Sequence, residues 1–184
     1  MSKTTGFYPQ LKVDTTASGA VGQAGGILLT ETIAVSGVGR ELSAALAPWR
    51  KPFAIHDPAK VITDLAMTLA LGGDHLSDIA VLRAEPGVYG RVASDATVSR
   101  TIDALAANAP AALKAIDAAR AAGRKRVWAL AGKAAPDHGA TAKNPLIVDL
   151  DATLVASHSE KQSAKPTFKR GFQNSWCATN AERT

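Results

Sequence analysis

The sequence predicts an α+β protein, a helical N-terminal region followed by strands. Three observations predict it. The apolar fraction is 46% but aromatics supply only 5%, which suits helices packed through alanine and aliphatic side chains. Apolar residues recur at helical spacing through most of residues 26–143. Beyond them the run PLIVDLDATLVASH is β-branched and almost continuously apolar, as a buried strand would be. At 184 residues the chain can bury one globular core or two small ones.

Residues 1–25 are polar and rich in Gly, Ser and Thr, and read as a flexible arm with a short strand at Leu11 to Val13. Residues 26–143 form the predicted helical region. Two helices are expected between Gly26 and Ala47, separated by a glycine turn near Ser36 to Gly39. Next, Asp57 is placed as an N-cap with Pro58 at the first helical position, and Val61, Ile62, Leu65 and Leu69 share one face until Gly72 and Gly73. A helix from Asp74 to Arg83 follows, stopped by the loop residues Glu85-Pro86-Gly87. Ser94 or Asp95 caps another, in which Val98, Ile102 and Leu105 fall at i, i+4 and i+7. An alanine-rich helix from Ala111 to Ala122 then leads into the cluster Arg124, Lys125 and Arg126. After the loop APDHGATAKNP come a strand from Pro145 and, beyond a polar turn, a second cationic strand PTFKRGF.

The net charge of +5 is unevenly spread. Residues 1–113 hold nine Lys/Arg against ten Asp/Glu, residues 114–143 hold seven against two, and residues 157–184 hold five against two. Two basic blocks therefore flank the acidic strand, as expected if a polyanion runs past a metal site, because phosphates need cations and metals need carboxylates. The same cations also suit a solvated helix end, where they oppose the dipole. Thr97, Ser99 and Arg100 lie on the polar side of the 94–107 helix. Small hydroxyls and an arginine in the first turns of a helix are what a recognition helix offers to phosphates and bases, and also what the wet face of an ordinary amphipathic helix carries.

Asp149 and Asp151 stand at i and i+2 of an apolar strand, on the same face as Ile147 and Thr153. Buried carboxylates need partners, since unpaired burial costs several kcal/mol. A divalent metal is one such partner, Lys169 or Arg170 of the following strand another, and solvent at a strand end a third.

The segment VDLDATLVASHSEKQSAKPTFKRGF resembles the first catalytic-carboxylate segment of the group 1 DDE transposases of bacterial insertion sequences. LAPWRKPFAIHDPAKVITDLAMTLALGGDHLSDIAVLR and GRVASDATVSRTIDAL are similar to that family's helical region, so the likeness runs from about Gly25 to Phe172. The resemblance implies a ribonuclease H-like catalytic domain beginning at residues 144–172. It also implies DNA transposition by metal-dependent phosphoryl transfer, with Mg²⁺ or Mn²⁺ held by three carboxylates. Asp151, directly before a small residue and Thr153, matches the first catalytic aspartate and metal ligand, and Asp149 is the alternative. No residue here matches the second aspartate or the glutamate, so the chain is expected to be a truncated, inactive transposase that binds metal weakly. Residues 173–184, QNSWCATNAERT, lack period and apolar face and depart from the family, as a frameshift would make them. The implied partners are transposon ends and target DNA, contacted through Thr97, Ser99, Arg100, Arg124, Lys125, Arg126, Lys169 and Arg170. A homodimer, or a heterodimer with full-length transposase, is also implied. A second reading is a DNA-binding fragment that recognises transposon ends and modulates the intact enzyme.

His56, His75, His138 and His158 have no metal-ligand spacing, and the single Cys177 forms no internal disulfide, as a reducing compartment would favour. No apolar run approaches the roughly 20 residues of a membrane span, and the start lacks the order of a signal peptide. A cytoplasmic location, with no membrane partner, is expected.

Overall fold

The computed structural model describes residues 6–10, 25–148, 164–166 and 172–174. The chain divides into two compact units, Met1–His138 and Gly139–Thr184.

The first unit is built of seven helices among its described residues: α1 (Gly25–Ser36), α2 (Val38–Ala45), α3 (Pro58–Ala70), α4 (Ala80–Arg83), α5 (Pro86–Tyr89), α6 (Asp95–Ala106) and α7 (Ala109–Ala131). Gly37 separates α1 from α2 at φ 69°, the left-handed region where a residue without Cβ turns the chain at no steric cost. The α3 start agrees with its expected cap: an Asp57 carboxylate oxygen accepts the Ala59 amide at 2.9 Å, and Pro58 occupies the first turn, where no amide partner is needed. A 3-10 turn at Leu76–Ile79 feeds α4, so this helix begins later than the spacing suggests. The helix ends at Arg83 as expected, but the residues after Glu85 form a separate helical turn, α5, with Pro86 at its first position.

Two apolar cores hold these helices. The first gathers Val61, Met67, Ile79, Leu82, Tyr89 and Val98 from α3 to α6, and it also buries Tyr8 from the N-terminal segment. The second joins Leu42 and Leu46 to Ala59, Leu105, Ala112 and Ala119, packing α2 against α3, α6 and α7. Phe7 packs against both. Alanines on α7 let α2 approach closely, and at Gly123 an added Cβ would lie 3.1 Å from Val38. That approach explains why α7 runs through Gly123 to Ala131 instead of ending at Ala122. A glycine weakens a helix by about 1 kcal/mol, and tertiary packing outweighs that here.

Inside the first core lies a polar group. The Tyr8 hydroxyl donates to Asp64 at 2.9 Å, and the Lys60 ammonium donates to both Asp64 oxygens at 2.5 and 2.6 Å. Lys60 also stands 4.4 Å over the Tyr8 ring, a cation–π contact. Burial pushes the Asp64 carboxyl above its usual range, Lys60 pulling it part of the way back, and pushes Lys60 below its own range against the same attraction. The Tyr8 phenol is raised by burial and by the Asp64 charge.

The second unit corrects the fold class. Among the described residues the chain is helical, not α+β with the opening strands of a ribonuclease H-like sheet. Residues 145–148 of the expected strand have no regular structure, and Ile147 is 79% exposed. A β-branched run becomes a strand only where neighbouring strands accept its hydrogen bonds and cover its faces, so its composition alone could not decide. Of the second expected strand, PTFKRGF, residues 167–171 lie outside the described residues. Its ends belong to two three-residue segments, β1 (Ala164–Pro166) and β2 (Phe172–Asn174), which pair antiparallel with Pro166 opposite Phe172. Two such segments form a ribbon and supply no sheet face of their own.

Candidate nucleic-acid interface

The residues expected to meet DNA fall in three places. Thr97, Ser99 and Arg100 occupy the first half of α6, whose opposite face buries Val98 and Leu105. The Arg100 guanidinium donates to the Thr97 hydroxyl at 3.0 Å, which in turn stands 3.1 Å from the Ser94 hydroxyl. Asp95, beside them at the helix start, pairs with Arg83 at 2.6 Å, and Arg83 also donates to the Ala93 carbonyl at 2.9 Å. This pairing neutralises the one carboxylate of the first α6 turn.

Thr97 and Arg100 open onto a groove of about 250 Å³. Its other wall is the 49–58 segment, contributing Trp49, Lys51, Ile55 and His56, while Thr101 and Ala104 complete the α6 side. None of the lining residues is acidic. Burial lowers the His56 pKa, and the positive charges of Arg91 and Lys60 lower it further. The 49–58 wall was not legible beforehand, because its residues have no periodic pattern and gain meaning only where α6 faces them.

The basic cluster expected after a helix lies within α7, and its members have different surroundings. Arg124 and Lys125 are exposed. Arg126 donates through Nε to the Val35 carbonyl at 2.9 Å, closing an otherwise unpaired group at the end of α1. Successive helix residues point about 100° apart, so Arg124, Lys125 and Arg126 cannot form a single stripe. Arg120, one turn before Arg124, pairs with Asp117 at 3.2 Å. Asp149, Asp151, Lys169 and Arg170 lie outside the described residues.

One group of metal-capable side chains occurs among the described residues, Asp74, His75 and Asp78. It does not fit a hard divalent cation. An Asp78 oxygen already accepts the Asp74 and His75 amides at 3.0 and 2.9 Å, and these bonds hold its pKa below the carboxylate range. Asp74 and His75 side chains are paired with each other on the surface. The three residues cap the turn before α4, and no step of chemistry is derived through them.

The helical unit thus lines an acid-free groove with hydroxyls, Lys51 and Arg100. The transposase DDE domain group 1 family matches residues 3–174, and the chain belongs to that family. No curated protein and no solved structure matches it. Membership implies DNA as partner and a divalent metal in the family's chemistry. No helix among the described residues is long and apolar enough to cross a membrane.

Proposed function

We propose that the helical unit is the part of this transposase that grips DNA ends, with the Thr97–Arg100 face of α6 and its groove as the principal contact. The observation carrying this reading is the groove itself: hydroxyl and cationic groups converge where Asp95 is neutralised and no lining carboxylate opposes phosphate. Arg124 and Lys125 would add backbone contacts along α7, while Arg126 is assigned a structural role through Val35. Asp151, with Asp149 as alternative, is proposed as the first metal-binding carboxylate. It is the single triad member with a match in these 184 residues. Bound to DNA ends, the helical unit would compete with other transposase molecules for the same ends.

Binding to duplex carrying the terminal repeats of the encoding element, measured against a scrambled duplex over a range of salt, tests the reading. Replacing Arg100, Arg124 and Lys125 with alanine together should reduce the slope of log affinity against log salt by about 2–3, roughly one for each phosphate no longer neutralised. A slope unchanged by the triple variant would remove these residues from the interface.

Proton linkage gives an independent check. In the free protein burial and the nearby cations hold the His56 pKa below the ordinary 6.5. A group lowered in this way contributes stability above 6.5 and loses it as pH falls through its folded value. Phosphate in the groove would reverse the bias by favouring the imidazolium. DNA affinity should therefore rise as pH falls toward the lowered pKa of His56, below 6.5, and His56→Gln should flatten that rise.

A further inference from the structure

The loop forming one wall of the groove ends in an unusual turn. The Ala54 amide donates to the Lys51 carbonyl at 3.1 Å, so Lys51-Pro52-Phe53-Ala54 is a β-turn with proline at its second position. Phe53, at the third, has φ 59°, in the left-handed region that such a turn usually gives to glycine. The residue is 103% exposed. Neither packing among the described residues nor backbone preference accounts for a phenylalanine there.

The turn is held in place from below. Arg50 pairs with Asp57 and donates to the Ser43 hydroxyl at 2.8 Å, while Asp57 caps α3. An aromatic ring is thus displayed from a braced support, between two residues, Lys51 and Ala54, that line the groove. Arg100 lines the opposite wall, and no carboxylate lines either. A partner covering this tip must supply negative charge around an apolar slot. The stacked base pairs of duplex DNA, edged by phosphates, have that chemistry, and side chains such as phenylalanine enter between base steps and bend the duplex.

Resting on the DNA-binding reading above, we propose that Phe53 is a wedge that enters a base step of duplex DNA seated on the Lys51–Arg100 groove, and so bends it. The turn supplies a tip narrow enough for a groove of DNA, and the flanking cations hold the phosphates on either side of the opened step. The ring stands in solvent, with nothing among the described residues covering it.

The 184-residue chain, titrated onto a duplex of about 30 base pairs bearing the terminal repeats and a fluorophore at each end, tests this. Wild type should bind and shorten the end-to-end distance. Phe53→Ala should bind about tenfold more weakly, the scale of a single aromatic–base stack, with no shortening and an unchanged salt slope. Phe53→Trp should restore both. Phe53→Gly should raise the melting temperature by relieving the left-handed strain, yet behave like Phe53→Ala toward DNA, which separates the wedge from any role in folding. Wild-type binding and bending matched by Phe53→Ala would overturn the wedge while leaving the DNA-binding reading intact. So would a wild-type dimer that Phe53→Ala dissociates without affecting bending. A wild-type chain that fails to bind the duplex would overturn the DNA-binding reading, and the wedge with it.

Discussion

Asp64→Ala should destabilise the helical unit by about 3–5 kcal/mol, because it leaves the Lys60 ammonium buried without its counter-charge. Lys60 and Asp64 are 8% and 0% exposed in their side chains, so solvent cannot compensate either one. Losing the pair together is a different matter. Replacing a buried ion pair by apolar residues of similar volume is often neutral or stabilising by about 1–4 kcal/mol, since the desolvation of both charges is then avoided. Lys60→Met with Asp64→Leu should therefore recover most of the loss. Recovery should be completed by adding Tyr8→Phe, which removes the hydroxyl that would otherwise be left without its acceptor. Urea unfolding of the single, double and triple variants decides it. A single variant within about 1 kcal/mol of wild type would mean that Lys60 sheds its proton and accepts burial as the neutral amine.

The second large effect is expected at Gly26. An alanine near a helix start ordinarily helps, by up to about 1 kcal/mol. Here the added Cβ would fall 1.9 Å from the Tyr89 hydroxyl oxygen and 2.9 Å from its ring carbon. Tyr89 is 1% exposed and cannot swing away without breaking the first core. Overpacking of this kind costs about 1–3 kcal/mol, so Gly26→Ala should be destabilising despite its better propensity. The Tyr89 hydroxyl is buried and has no hydrogen-bond partner among the described residues. Tyr89→Phe alone should thus be neutral or mildly stabilising, and in combination it should relieve part of the Gly26→Ala penalty, the ring carbon still lying 2.9 Å from the new Cβ. Thermal melts of the four-member cycle provide the measurement; additive effects would mean the helix shifts bodily instead of clashing with the ring.

Much of the helical scaffold was legible because its signals are local. Asp57 and Pro58 announce α3, a glycine between two apolar runs announces the break at Gly37, and Ser94 with Val98 and Leu105 announces α6. What the sequence did not disclose depends on contacts between distant segments. Tyr8 sits in a polar stretch that reads as an arm, yet its hydroxyl meets a carboxylate 56 residues away. Lys60 and Asp64, four apart on a helix, look like a surface pair until the Tyr8 ring covers them. Gly123 reads as a helix end, and becomes interior only because Val38 needs its missing side chain. The strand expectation failed over residues 145–148 for the related reason that a sheet is a property of several segments, and an apolar β-branched run does not contain its own partners.

The candidate interface divides in the same way. The hydroxyls and the arginine of α6 could be chosen from helical spacing, since Thr97, Ser99 and Arg100 must lie off the face that carries Val98 and Leu105. Arg126 could not be separated from Arg124 and Lys125 without seeing the Val35 carbonyl it serves. Lys51, Phe53 and His56 gave no sequence signal, because a groove wall made from a loop has no period.

Phe7 ties the two halves of the helical unit together. Its ring lies edge-on to Tyr8, with centroids 6.4 Å apart, and it touches both apolar cores at once. Two cores that share a side chain cannot loosen separately without exposing it, so amide exchange in α3 and in α7 should proceed through a single cooperative opening. Phe7→Ala would uncouple them, giving α7 its own, lower exchange barrier while α3 keeps the protection of the first core.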